Sequence, residues 1–191
     1  MTDDGDQKRK MLAGELYLAN DAGLAADRRR AKVLCQRYNQ AVVDFDRAAL
    51  RELFGYATDA YLEPPFFCDY GYNMKLGKRV YANHNLVVLD CAEVTLGDDV
   101  FIGPNVVLST AGHPVDPAVR ISGLEYAKPI RIGNAVWIGA SVSVLPGVDI
   151  GDNVTIGAGS VVTRSIPANC VAVGNPCRVR RYLDQQVGDR R

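Results

Sequence analysis

Residues 132–161 read IGNAVW-IGASVS-VLPGVD-IGDNVT-IGAGSV, and Val162 follows. A branched aliphatic residue recurs at positions 132, 138, 144, 150, 156 and 162, and Gly follows it at 133, 139, 151 and 157. A second small or aliphatic residue comes four positions later, at Val136, Val142, Val148, Val154 and Ser160. The period is six and it does not slip. An amphipathic helix returns its apolar face every ~3.6 residues and a strand alternates with a period of two, so neither can use this pattern. A coil of short strands and turns can, with each rung stacked on the last as in a parallel β-helix. The stretch from Pro129 to Arg181 is therefore expected to be the structural core.

Upstream the same period is looser. It starts at Leu76 as LGKRVY-ANHNLV-VLDCAE, is shifted by Val94 and Thr95, and resumes as LGDDVF-IGPNVV-LSTAGH. With three hexapeptides to a triangular turn, about four coils are expected, two on each side of an interruption. Such a stack has open edges that need covers, and the N-terminal helices and the 182–191 tail are the candidates. The interruption is Ser109 to Lys128, STAGHPVDPAVRISGLEYAK, in which the period is lost. Long insertions in a strict repeat commonly build the binding face, so this loop is expected to be functional.

The first 60 residues read as a small helical segment, 61–181 as the β-helix domain with its inserted loop, and 182–191 as a tail. Helices are expected over Lys8–Leu18, with Met11, Leu12, Leu16 and Tyr17 on one side, over Ala25–Tyr38, and over Arg47–Gly55. Asp44 and Asp46 offer N-caps for the third, and Gly55 its C-cap. The basic cluster Arg28, Arg29, Arg30, Lys32 and Arg37 reads as a solvated helix face. The run YLEPPFFCDYGYN at 61–73 is dense in aromatic rings. It reads either as an edge rung or as the floor of a polyol pocket, with Asp69 as the carboxylate.

The 22 basic and 22 acidic side chains leave no net charge, so no bulk electrostatic case exists for nucleic acid or an anionic membrane. No apolar run reaches the ~18 residues of a membrane span. The polar start MTDDGDQKRK is unlike a signal peptide, and the five cysteines (35, 68, 91, 170, 177) show no paired spacing. Reduced thiols and a cytoplasmic location are expected.

Only two histidines are present, His84 within a rung and His113 in the loop. Each could be a satisfied structural group. The loop context favours His113 as a group that moves a proton near neutrality. No nucleophile elbow, Walker A or dinucleotide fingerprint occurs, and two histidines with scattered thiols argue against a metal site. Near the C-terminus, Arg178, Arg180 and Arg181 read either as surface charge or as forks for phosphate oxygens.

The repeat IGNAVWIGASVSVLPGVDIGDNVTIGAGSVVT, the end IPANCVAVGNPCRV, the loop GHPVDP and the head AGELYLANDAGLAADRRRAKVLCQRYN together resemble the maltose and galactoside O-acetyltransferase group of the hexapeptide acyltransferases. The resemblance covers roughly residues 7–183, and the head is similar to the maltose-type N-terminal segment. It implies a left-handed parallel β-helix and a homotrimer with active sites between subunits, acetyl-CoA as donor and a sugar hydroxyl as acceptor. By position it implies His113 as catalytic base and Asn83 at the acceptor and reaction centre. Trp137 falls in the interface pocket, Ala140 and Ala158 along the pantetheine arm, and Thr163, Arg164, Arg178 and Arg181 near the nucleotide and its phosphates. Asp69 stands where maltose-type members carry Asp and galactoside-type members Ser. Cys91, beside Asp90, and Ala19 replace galactoside-type acceptor carboxylates, which favours a maltose- or glucose-like acceptor. Other acceptors (an antibiotic, an amino acid, a glycan), a γ-type carbonic anhydrase and a noncatalytic scaffold remain open alternatives at this point.

Overall fold

The computed structural model describes residues 6–41, 43 and 45–183. Helix α1 (Asp6–Ala13), strand β1 (Tyr17–Leu18), and helices α2 (Ala22–Gln40) and α3 (Arg47–Phe54) precede the coil. Helix α1 is shorter than the apolar spacing predicts. Gly14, at φ 73°, turns the chain into the left-handed region, and its N–H closes on Met11 O. The chain re-enters as β1, so Met11 and Tyr17 are buried while Leu12 and Leu16 stay exposed. Asp21 caps α2 and Asp46 caps α3, each accepting from a backbone N–H three residues on, and Gly55 ends α3 in the left-handed region. Asp44, the other proposed cap, lies outside the described residues. The apolar positions expected inward on α2, Ala31, Leu34, Cys35 and Tyr38, are all buried.

The coil begins at Tyr61, well before the period becomes visible at Leu76. Tyr61–Leu62 (β2), Phe66–Cys68 (β3) and Met74–Leu76 (β4) form the first rung. Tyr81–Ala82 (β5), Leu86–Leu89 (β6) and Val94–Leu96 (β7) form the second. Phe101–Ile102 (β8) and Val107–Ser109 (β9) open the third. The chain then makes an excursion through β10 (Ala111–Gly112), α4 (Pro117–Ile121) and β11 (Leu124–Ala127), and β12 (Ile130–Ile132) closes the rung. Trp137–Ile138 (β13), Ser143–Val144 (β14) and Asp149–Ile150 (β15) form the fourth, and Val154–Ile156 (β16) with Val161–Val162 (β17) the fifth, completed by a bridge from Ile150 to Ile166. Cys170–Val173 (β18) adds one more strand, and β19 (Arg178–Tyr182) folds back antiparallel on it. Five rungs, rather than about four, are present, because the aromatic run 61–73 is itself a rung.

The strands stack in parallel on three faces, in the orders β4-β7-β12-β15, β2-β5-β8-β13-β16-β18 and β3-β6-β9-β14-β17. The six-residue period is the length of one side of this triangle. Ile132, Ile138, Val144, Ile150, Ile156 and Val162 all point inward and are buried, as are Val136, Val142, Val148 and Val154. The Gly that follows the aliphatic residue is explained by rung spacing. A Cβ on Gly139 would stand 2.6 Å from the Ala158 nitrogen of the next rung, far inside van der Waals contact. Turns repeat the period too: Asn85 and Asn105 hold positive φ, and the Asn85 amide donates to Asn105 Oδ1 at 3.0 Å one rung away.

The helices share one apolar cluster with the coil. Leu34, Tyr38, Leu50, Leu53 and Phe54 pack on Leu62, Phe66 and Met74 and close the first rung, with Phe54 and Phe66 ring centroids 6.2 Å apart. The inserted segment is an ordered hairpin rather than a periodless loop. It is held by β1, which pairs antiparallel with β11 to give the sheet β1-β11-β10. Its apolar support is a second cluster of Met11, Tyr17, Leu24, Tyr70, Cys91, Ala92 and Ala127. At the far end β19 covers the edge of β18; residues 184–191 of the proposed tail lie outside the described residues.

Candidate functional site

Two surfaces carry most of the residues singled out in the sequence, one on a face of the triangle and the other at the corner opposite it. The first is an outward groove on the β2-β5-β8-β13-β16-β18 face. Tyr81, Phe101, Trp137 and Thr155 follow one another in strict register on β5, β8, β13 and β16. Phe101 and Trp137 are 53% and 56% exposed, unusual for rings of this size on a folded surface. They overlook a groove of 540 Å³ whose wall also includes Asn83, Ala140 and Ala158. The floor is small-residued because Gly103, Gly139 and Gly157 sit where the rungs press together. Asn83 is held by its own N–H donating to Ile102 O at 2.8 Å, while its Oδ1 accepts from His84 N at 2.7 Å. His84 is a structural group: Nδ1 lies 2.6 Å from Pro64 O.

Thr163, Arg164, Arg178 and Arg181 are exposed near the C-terminal end of the coil, the first two in the turn that follows β17. Arg178 and Arg181 project from β19, which pairs Val173 with Arg178 and Val171 with Arg181. They stand on the same sheet as the groove, at its C-terminal edge.

The second surface is the corner at which β3, β6 and β9 hand over to β4, β7 and β12. Here lie Asp69, Asp90, Cys91 and the excursion bearing His113. Asp90 faces inward and is fully buried. Its carboxylate accepts from the N–H groups of Asp69, Tyr70 and Gly71 at 3.0, 2.8 and 2.7 Å. Burial pushes its carboxyl up to about 7 against the pull of those backbone donors. Three of its roughly four acceptor sites go to the turn 69–71, so in the folded chain it shapes the corner from inside. Cys91 is buried as well, and its thiol reaches Asp69 Oδ2 at 3.6 Å. Burial raises that thiol to about 12, so it stays protonated as a donor. Asp69 is half-buried, and desolvation raises its carboxyl above the ordinary range.

The corner is tied to the excursion by Thr110, whose hydroxyl donates to Leu89 O at 2.6 Å and accepts from Ala92 N at 2.9 Å. Just beyond, His113 is solvent-accessible, with Nε2 3.9 Å from Glu125 Oε1. Glu125 Oε2 in turn accepts from Tyr17 Oη at 3.1 Å. The helix α2 arginines are not all solvated as expected. Arg28 turns in to donate to Tyr70 Oη at 2.7 Å and to Ala19 O at 2.5 Å, which locks the N-terminal segment onto this corner.

Comparison with known proteins places this arrangement. The hexapeptide capping motif of maltose acetyltransferase matches residues 10–57, and the six-repeat bacterial transferase hexapeptide matches residues 129–164. The galactoside O-acetyltransferase of Escherichia coli is 44% identical over 181 residues, covering 93% of this chain and 89% of that one. The chain belongs to the maltose and galactoside O-acetyltransferase family. The crystal structure of a maltose O-acetyltransferase from Clostridium difficile matches this acetyltransferase fold with a TM-score of 0.91 and 45% identity, over 94% of this chain and 98% of that one. A galactoside acetyltransferase solved in complex with coenzyme A matches with a TM-score of 0.86 and 43% identity, over 93% and 91% of the two chains. The left-handed parallel β-helix that the resemblance implies is the fold. Among the described residues, no group of three or more His, Cys, Asp or Glu side chains is placed to hold a metal ion. No helix among them is long and apolar enough to cross a membrane.

The acetyltransferase thus gathers Asn83, Trp137, Ala140 and Ala158 in one groove and Asp69, Cys91 and His113 around one corner. It does not bring the two sets together within a single chain. Sequence reasoning missed Tyr81 and Phe101, although a signal was there: an aromatic residue directly precedes the inward residue in VYA, VFI and VWI at 80–82, 100–102 and 136–138. It also missed Tyr17 and Glu125, for which no local signal exists, because they meet across 108 positions of chain.

Proposed function

We propose that this protein transfers the acetyl group of acetyl-CoA to a hydroxyl of a maltose- or glucose-like sugar in the cytoplasm. The observation that carries the reading is the groove, with aromatic residues in register over a small-residue floor, in a chain whose 43%-identical relative is solved with coenzyme A. Ala140 and Ala158 leave room for a narrow pantetheine arm along the rungs. Thr163, Arg164, Arg178 and Arg181 lie at the end where a nucleotide and its phosphates would need donors.

A sugar hydroxyl is a poor nucleophile near neutrality. His113 takes its proton as the oxygen–carbon bond forms at the thioester carbonyl, and returns it to the departing sulfur as the carbon–sulfur bond breaks. Asn83 and neighbouring backbone N–H groups stabilise the charge on the carbonyl oxygen. Proximity supplies much of the remaining acceleration. Asp69 accepts from sugar hydroxyls, with Cys91 at its back and Asp90 fixing the turn.

Because the groove and the His113 corner face different ways on one chain, the reading requires a second copy to complete each site. A homotrimer with active sites between subunits meets that need, and the exposed Phe101 and Trp137 are then covered by the neighbour. The test is a CoA-thiol release assay with acetyl-CoA against a panel of sugars and amines, run beside the molar mass in solution. Sugar-dependent thiol release by a trimer is expected. Release only with amines sinks the sugar acceptor, and an active monomer sinks the shared site.

A further inference from the structure

The three-stranded sheet β1-β11-β10 has one row that the catalytic reading has not used. The register pairs Tyr17 with Glu125 across β1 and β11, and Gly112 with Tyr126 across β10 and β11. His113 follows directly on β10, and the same register carried one residue past the strand's end brings it towards Glu125, where the side chains approach to 3.9 Å. Tyr17, Glu125 and His113 are therefore cross-strand neighbours in a single row, where side chains on one face meet. The contacts follow: Tyr17 Oη donates to Glu125 Oε2 at 3.1 Å, and Glu125 Oε1 is 3.9 Å from His113 Nε2. Glu125 is not a freely waving surface acid, with its side chain only 24% exposed and one oxygen anchored. Tyr17 is fully buried, and burial followed by the neighbouring Cys91 raises its phenol well above the ordinary range, so it remains a donor at any working pH.

We propose that Glu125, held in place by Tyr17 of the N-terminal segment, is a positioning residue for His113. This rests on His113 being the base. A carboxylate beside an imidazole fixes the ring's orientation and favours the imidazolium that forms as the hydroxyl proton arrives. Tyr17 fixes one carboxylate oxygen and leaves the other turned to the ring. The N-terminal segment therefore closes the first rung with α2 and α3 and, through β1, also sets the geometry of the base two rungs away.

The test is a set of single and paired variants assayed by thiol release, with melting temperature and acetyl-CoA KM recorded for each. Glu125→Gln keeps an acceptor for Tyr17 but removes the charge facing His113. It is expected to lower kcat by about 10-fold or more, inside the ~10²–10⁴ that a general base supplies, with the acetyl-CoA KM unchanged. Tyr17→Phe is expected to lower kcat about 2–10-fold, the value of one hydrogen bond. In a His113→Ala background, Glu125→Gln is expected to change turnover by less than about twofold, because a residue that acts through His113 has nothing left to act on. A merely structural role would lower melting temperature and activity in both backgrounds. The inference is overturned if Glu125→Gln keeps kcat within twofold of the parent, or if it costs as much without His113 as with it. Should Glu125→Gln fail to fold, Glu125→Asp serves in its place: a carboxylate drawn back by one methylene lowers kcat if the inference holds and leaves it unchanged if not. Near-normal turnover in His113→Ala alone instead sinks the base itself, which separates the two failures.

Discussion

The middle rungs of this coil are regular, and those before them are longer. From Ile132 to Ile150 on β12 and β15, and from Ile138 to Ile156 on β13 and β16, one turn takes 18 residues, three sides of six. Earlier, Leu76 to Leu96 takes 20 and Leu96 to Ile132 takes 36. The extra residues all enter at one corner: the turn 69–73 in the first rung, 90–93 in the second, and the hairpin 110–129 in the third. The regular half has inward aliphatic residues and an outward groove. The irregular half has in addition the buried carboxylate of Asp90, the half-buried Asp69 with the Cys91 thiol beside it, and His113. A rung with six residues per side has no spare backbone to form a cup, because every inward position is committed to packing. Two more residues free one corner, and eighteen more let it carry a strand pair that β1 can join. Under the proposed function, the chemistry gathers where the repeat is broken, and the unbroken repeat serves as a rail.

This contrast can be tested from either side. The largest effect belongs to the broken corner: His113→Ala is expected to cut turnover at least about 100-fold with rungs and assembly intact. Thiol release beside circular dichroism reads both, and near-normal turnover would place the chemistry elsewhere. On the regular side, Ile138→Ala empties a fully buried position and is expected to cost about 2–5 kcal/mol in denaturant unfolding, with kcat per folded enzyme unchanged. If instead the two variants showed the same balance of lost stability and lost turnover, the division between rail and corner would be wrong.

Asp90→Asn lies between these extremes. Its amide cannot match three backbone donors with one oxygen, so a loss of about 1–3 kcal/mol is expected. The pH dependence has a definite sign. Asp90 titrates at about 7 in the folded chain against an ordinary 3.8, so the folded state holds the proton more tightly. Its contribution to stability is full below the ordinary value and is lost as pH rises to about 7. Asn does not titrate, so the stability gap between parent and variant should be wider at pH 5 than at pH 8. Urea unfolding at both values measures it, and a gap that widens with pH contradicts the assignment. The smallest effect is expected at the exposed end of the rail. Arg181→Ala should raise the acetyl-CoA KM about threefold to tenfold and leave kcat alone, as an exposed charge-assisted contact would. A changed kcat with an unchanged KM would remove Arg181 from the donor site.

Much of this was legible without coordinates, and the reason differs from region to region. The rail was readable because stacking forces identical solutions at identical intervals: Ile132, Ile138 and Val144 face one core, and Gly133 and Gly139 leave no room for a Cβ. His113 and Asn83 were singled out as candidates through resemblance and a broken period. The two aspartates of the corner look alike in sequence, yet Asp69 stays accessible while Asp90 turns inward to hold the backbone. The helix expected through Leu18 ended at Gly14, because a strand pairing with β11 outweighed the local apolar spacing.

The amino-acid sequence alone determined the periodic coil, its inward residues, its interruption and the family, since a repeat writes its packing rule into every copy. The tertiary structure decided that the interruption is a hairpin annexed by β1, that Asp90 is spent on the turn beside Asp69, and that Tyr17 and Glu125 stand in a row with His113. Those outcomes depend on which distant backbones lie side by side. No local spacing encodes a hydrogen bond that spans 108 positions, so only the folded chain could supply it.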